Sequence, residues 1–205
     1  MNFTVVRGAD TPWGNAFARA LAADKRHLIL LGAREEELQT LLREIIRKHR
    51  VLVHYMISDD GDTGSIVSVC EKINDRFEVD LLINYTETGF GQRLDDYDVR
   101  SLDRKLKTQH ATGILYLHQL LPNLLLHAHA QVIDLWCPSN HASGWEQTLI
   151  AFNTRFADYL NAEMRESGLR IDTIDLSSTA ESTDRVVTIL ESILPGFREY
   201  RVAAG

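Results

Sequence analysis

The chain reads as an α/β protein: a Rossmann-like, doubly wound parallel sheet with helices on both faces. Three observations predict it. Short apolar runs alternate with longer stretches of 3.6-residue periodicity along all 205 residues. No linker, repeat or low-complexity stretch interrupts them, which predicts one domain, 1–205, large enough to bury a proper core. Strand–helix alternation then closes into a parallel sheet, because right-handed crossovers lay successive helices against its faces.

Each element has its own local reason. Strands are expected at 3–6, 27–31, 51–57, 79–83, 131–136 and 169–176, all rich in Val, Ile and Leu. At 35–49, Leu38, Leu41, Leu42, Ile45 and Ile46 share one helical face; at 65–77, Ile66, Val69, Cys70, Ile73 and Phe77 do the same. Longer helices are expected at 95–127 and 144–167, and a short one at 183–194. Gly168 is a helix stop before the sixth strand. The expected strand order is 3-2-1-4-5-6, with 198–202 as a candidate seventh strand.

Composition narrows the function. The chain is 44% hydrophobic and 25% charged, ordinary for a globular domain. A formal charge of -7 argues against a nucleic-acid surface, which needs a concentrated basic face. No stretch looks like a signal peptide or a membrane span. Cys70 and Cys137 lack zinc or disulfide spacing, which suits a reducing cytoplasm, so the Asn-x-Thr matches at Asn2 and Asn84 read as accidental. Five histidines lie between 110 and 141, including His127-x-His129, which reads as a solvated loop entering the fifth strand, with no metal site.

The most informative stretch is FTVVRGADTPWGNAFARAL, residues 3–21. A short apolar strand leads into a turn from Gly8 to Gly14, and a helix is expected from Asn15 to Ala22. Such a turn aims a helix N-terminus at a pyrophosphate, and a bare backbone lets the phosphates approach. Pro12 removes an N–H from that surface and adds ring carbons. Gly8 and Gly14 either cradle a phosphate or only permit a tight turn and close packing.

Along nearly its whole length the chain resembles the short-chain dehydrogenase/reductase family. RGADTPWGNAFARALA is similar to the family's Thr-Gly-x-x-x-Gly-x-Gly turn, with Arg7 for threonine and Pro12 for the middle glycine. FEVDLLINYTETGFG resembles its fourth strand, whose Asn-Asn-Ala-Gly is here Asn84-Tyr85-Thr86-Glu87. LILLGAREEELQTLLREI, LDRKLKTQHATGILYLHQLLP and AQVIDLW resemble the second strand and its helix, the long fifth helix and the serine-bearing strand.

The resemblance implies a dinucleotide site at Gly8, Pro12, Trp13, Gly14, Arg34 and Asn84, with NADP as the cofactor if one binds. Arg34 stands where relatives hold the 2′-phosphate, and no acidic residue ends the second strand. The four catalytic positions fall on Gln109, Cys137, Glu146 and Ile150, and no Tyr-x-x-x-Lys occurs anywhere. Hydride transfer to a carbonyl needs a proton donor near the oxygen. After the sixth strand, 177–180 leaves little room for the family's substrate lid. Pro12, Trp13 and Glu87 are candidates to fill the cofactor groove.

The expectation is therefore a catalytically inactive member acting as a binding or regulatory scaffold, or as a nucleotide sensor. The alternative is an atypical NADP-dependent oxidoreductase using Glu146 or Cys137 in the tyrosine's place. Helices 95–127 and 144–167 carry a surplus of apolar residues, including Ile114, Leu121, Trp145, Leu149, Phe152 and Leu160. They are expected to form a homodimer interface, and a protein partner is the other candidate.

Overall fold

The computed structural model describes residues 1–88, 93–138, 144–176, 183–194 and 197. Its strands are β1 (Asn2–Arg7), β2 (His27–Gly32), β3 (Val53–Ile57), β4 (Glu78–Thr88), β5 (Gln131–Pro138) and β6 (Arg170–Asp175). They form one parallel sheet in the order β3-β2-β1-β4-β5-β6. The helices are α1 (Pro12–Ala23), α2 (Glu35–His49), α3 (Thr63–Arg76), α4 (Val99–Leu106), α5 (Thr112–Leu124), α6 (Gly144–Glu163) and α7 (Thr183–Ile193).

Both faces of the sheet are covered, which is why its central strands read as continuous apolar runs. On one face Trp13, Phe17 and Leu21 of α1, Leu38 and Leu41 of α2, and Leu190 of α7 pack on Val6, Leu30 and Ile83. On the other, Ile66 and Ile73 of α3, Leu120 of α5 and Ala157 of α6 pack on Val5, Leu82 and Val132. Charge placement supports α2, whose first turn carries Glu35, Glu36 and Glu37 and whose last carries Arg47, Lys48 and His49. Those signs match the helix dipole. Among the described residues no helix is long and apolar enough to cross a membrane.

Three boundaries differ from expectation, each for a physical reason. Helix α1 begins at Pro12 rather than after Gly14, because Thr11 caps it and proline fits the first helical position, where no N–H is needed. The expected helix 95–127 resolves into a 3₁₀ turn at Leu94–Asp96, then α4, a π-helical segment at Lys107–Ala111, and α5. Strand β4 runs five residues past 83, because it stays paired with β5 from Leu81↔Gln131 to Thr88↔Pro138. Gly168 does end the helical region, in the left-handed conformation after a 3₁₀ turn at Arg165–Ser167. The candidate seventh strand at 198–202, the lid segment at 177–180 and His141 lie outside the described residues.

Of the surplus apolar residues on the long helices, Leu121, Phe156 and Leu160 pack against the core. Phe152 and Tyr159 stay exposed on α6.

Candidate functional site

The C-terminal ends of β1, β2, β3 and β4 converge on a polar cleft of about 300 Å³, with Gly8, Asp10, Thr11, Asp60, Tyr85 and Gln109 among its lining residues. Open sheets of this topology bind ligands at such strand ends.

The turn after β1 is built on its two glycines. Gly8 has φ +74, and a Cβ on Gly14 would lie 2.0 Å from the Gly8 carbonyl oxygen. Thr11 ties them together: its hydroxyl donates to the Gly8 carbonyl at 2.7 Å and accepts from the Gly14 N–H at 3.1 Å. Pro12 has no N–H, so in the first turn of α1 the donor this cap does not use is Trp13 N–H. The Trp13 side chain is in the core beside Phe17, so it does not fill the groove. Pro12 instead lines a second, outer cleft of about 540 Å³, with Asp10, Asn15, Arg19 and Arg34.

Arg7, in place of the family's threonine, is buried. Its Nη1 donates to Asn84 Oδ1 (2.7 Å), the Tyr85 carbonyl (2.9 Å) and Thr86 Oγ1 (3.1 Å). Its Nε and Nη2 donate to Asp60 Oδ2 (3.1 and 2.7 Å), and Nη2 also to the Thr108 carbonyl. Every guanidinium nitrogen is engaged, so Arg7 clamps β1, β4, the β3 end and the π-helical segment together and offers no free donor to a ligand.

The clamp continues across the sheet. Arg7, Asn84 and Asp134 occupy equivalent positions on β1, β4 and β5, and Asn84 Nδ2 donates to Asp134 Oδ1 at 2.7 Å. Asn84 thus braces the site from beneath. Burial pushes the Asp134 carboxyl up to about 6, against the Asn84 hydrogen bond and the Arg7 charge that oppose the shift. Beside the clamp, the Tyr116 hydroxyl bonds to Ser58 Oγ, and burial above all raises the phenol's pKa.

At the outer rim, Asp10 reaches across to the end of β2. Its Oδ2 accepts from the backbone N–H of Ala33 (3.1 Å) and Arg34 (3.0 Å) and from Arg34 Nε (3.3 Å). Arg34 Nη2 donates back to the Asp10 carbonyl. No acidic residue ends the second strand in sequence, and the carboxylate found there comes from the turn after β1.

The catalytic positions are only partly assembled. Gln109 is buried and lines the inner cleft. Cys137 packs against the core on the α1 and α7 side of the sheet, and Ile150 is half-buried on α6. Neither is among the residues described as lining the cleft. Glu146 lies in the first turn of α6; its side chain, like that of Glu87, lies outside the described residues. Sequence reasoning missed His110, which follows Gln109 on the π-helical segment. It stacks on Trp136 (5.9 Å between centroids) and bonds through Nδ1 to Asn153 Nδ2 at 2.9 Å. Burial lowers its pKa, against the Asn153 hydrogen bond. Asp59 and Asp60 were also missed, although an acidic pair directly after a strand is visible in sequence.

Comparisons with known proteins agree with this geometry. No family model matches the chain. It is 28% identical over 180 residues to sulfoacetaldehyde reductase 2 of Chromohalobacter salexigens, covering 83% of this chain and 69% of the reductase. It is 26% identical to the uncharacterised oxidoreductase YusZ of Bacillus subtilis, covering 64% of this chain. The fold is that of a metagenomic short-chain oxidoreductase in complex with NADP (TM-score 0.83, 18% identity, 94% of this chain and 89% of that one). It is also that of a Thermococcus sibiricus alcohol dehydrogenase complexed with 5-hydroxy-NADP (TM-score 0.79, 19% identity, 95% and 90%). The chain shares the fold of these short-chain oxidoreductases over most of its length. The aligned stretch spans only 47% of the Bacillus protein.

Proposed function

We propose that the chain is a short-chain-dehydrogenase/reductase-type oxidoreductase that binds NADP(H) in the cleft at the ends of β1–β4 and acts on a carbonyl compound. The observation that carries this reading is the Gly8–Gly14 turn beside a polar cleft, with Arg34 lining the adjoining outer cleft, in a fold shared with NADP-bound oxidoreductases. The name of one relative, a sulfoacetaldehyde reductase, supports a carbonyl substrate.

The residues fit a dinucleotide in part. Gly8 and Gly14 hold the turn tight, the Trp13 N–H would be its donor toward a phosphate, and Arg34 would stand beside a 2′-phosphate. A bound reduced nicotinamide supplies the hydride. The protein must add the proton, and Glu146, at the position of the family's tyrosine, would be the donor. Gln109 holds the polar wall of the inner cleft. The exposed Phe152 and Tyr159 support the dimer expected through α6.

A second reading, cofactor binding without turnover, is favoured by Cys137 packing toward the α1 and α7 core and by Ile150 in the lysine's place. Calorimetric titration with NADPH and NADH at low salt, followed by turnover of aldehydes and ketones with the bound cofactor, decides between them. Micromolar NADPH binding with turnover supports the enzyme. Binding alone supports the sensor, and no heat with either cofactor refutes both.

A further inference from the structure

The outer rim contains its own anion. The Asp10 side chain is only 8% exposed, and its Oδ2 gathers two backbone N–H groups and the Arg34 guanidinium. The fit is close: a Cβ on Gly32 would lie 2.3 Å from Asp10 Oδ1, so β2 ends in glycine where this carboxylate lies. Arg34 is further occupied by the Asp10 carbonyl and by Glu37 at 3.5 Å. Successive backbone N–H groups beside a guanidinium are the donor set that receives an anionic oxygen. Here an aspartate has filled it from within.

We propose that Asp10 is an internal competitor for the 2′-phosphate of the cofactor, and so sets how strongly this chain distinguishes NADP(H) from NAD(H). The inference rests on the dinucleotide reading above and adds a residue to it. A 2′-phosphate brought to Arg34 meets a carboxylate already on the same nitrogens, and two anions cannot share those donors without strong repulsion. The phosphate binds only by displacing Asp10 from Ala33, Arg34 and the guanidinium. A dinucleotide with a free 2′-hydroxyl carries no such charge and leaves the Asp10–Arg34 pair intact. Arg34 alone predicts a preference for NADPH; Arg34 with Asp10 predicts that the preference is suppressed.

The test is calorimetric titration of the full chain, wild type and Asp10→Asn, with NADPH and NADH at fixed ionic strength. Asp10→Ser is a second variant in case the first disturbs the turn, and thermal melts report whether each folds. The expected result is a rise of about tenfold or more in NADPH affinity, with NADH changed by less than about threefold. Adding Arg34→Ala to Asp10→Asn should abolish the gain. Equal changes for both cofactors, or no gain for NADPH in folded variants, overturn the role of Asp10 while leaving the dinucleotide reading standing. If no folded protein, wild type or variant, binds either cofactor, the dinucleotide reading falls and this inference with it.

Discussion

Replacing Asp134 by asparagine should flatten the pH dependence of stability in a direction opposite to the usual one for carboxylates. Asp134 is buried midway along β5, facing Asn84, and its carboxyl is raised to about 6 from the usual 3.8. Burial therefore outweighs both the donated hydrogen bond and the attraction of Arg7. The difference corresponds to roughly 3 kcal/mol between the neutral and charged forms. Between pH 3.8 and about 6 the folded chain holds this proton while the unfolded chain releases it. Stability from this group is accordingly complete below the unfolded value and declines as pH rises through the folded one. Asparagine keeps an acceptor for Asn84 and cannot ionise. Urea unfolding of both proteins from pH 4 to pH 8 isolates the group, since the other carboxylates cancel in the difference. The variant should gain roughly 2.5 kcal/mol on the wild type across that range. Two parallel stability curves would refute the claim that a carboxylate buried here is held toward neutrality by desolvation.

Other perturbations probe the same frame. Arg7→Ala leaves Asp60 and Asn84 without their shared donor and should destabilise the fold by about 3–5 kcal/mol in denaturant titration; Arg7→Lys, lacking the planar fork, should recover only part of it. Gly14→Ala puts a Cβ 2.0 Å from the Gly8 carbonyl and should lower soluble yield and melting temperature sharply, whereas Gly144→Ala, with open space around it, should change neither. Cys70 is buried, with its thiol raised to about 12, so at pH 8 it should resist thiol reagents until the protein is unfolded; mass spectrometry of the labelled peptides reads this directly.

Most of the fold was legible because it rests on periodicity. The apolar faces Leu38–Leu41–Ile45 and Ile66–Val69–Ile73 are buried as the 3.6-residue pattern requires, and the strand order followed from crossover handedness. Periodicity failed where polar residues take part in the interior. Asn84 looks like a strand end to a hydropathy reading, yet it pairs with Asp134 inside the ladder, and β4 continues beside β5 to Thr88. The single-helix reading of 95–127 missed the π-helical segment for a similar reason: one extra residue in a helical turn leaves the composition unchanged but moves Gln109 and His110 inward together.

By itself the sequence determined the doubly wound sheet, the glycine turn after the first strand, the departures at Arg7 and Pro12 and the missing tyrosine–lysine pair. These are properties of local pattern and residue identity. Only the tertiary structure decided what the departures do. Arg7 is a saturated clamp because Asp60 and Thr108, distant in the chain, close around it. Arg34 is restrained because Asp10, 24 residues away, lies on the same nitrogens. A charge's partners are set by distance in space, and no sequence pattern records which of 29 acidic residues will stand within 3 Å of a given guanidinium.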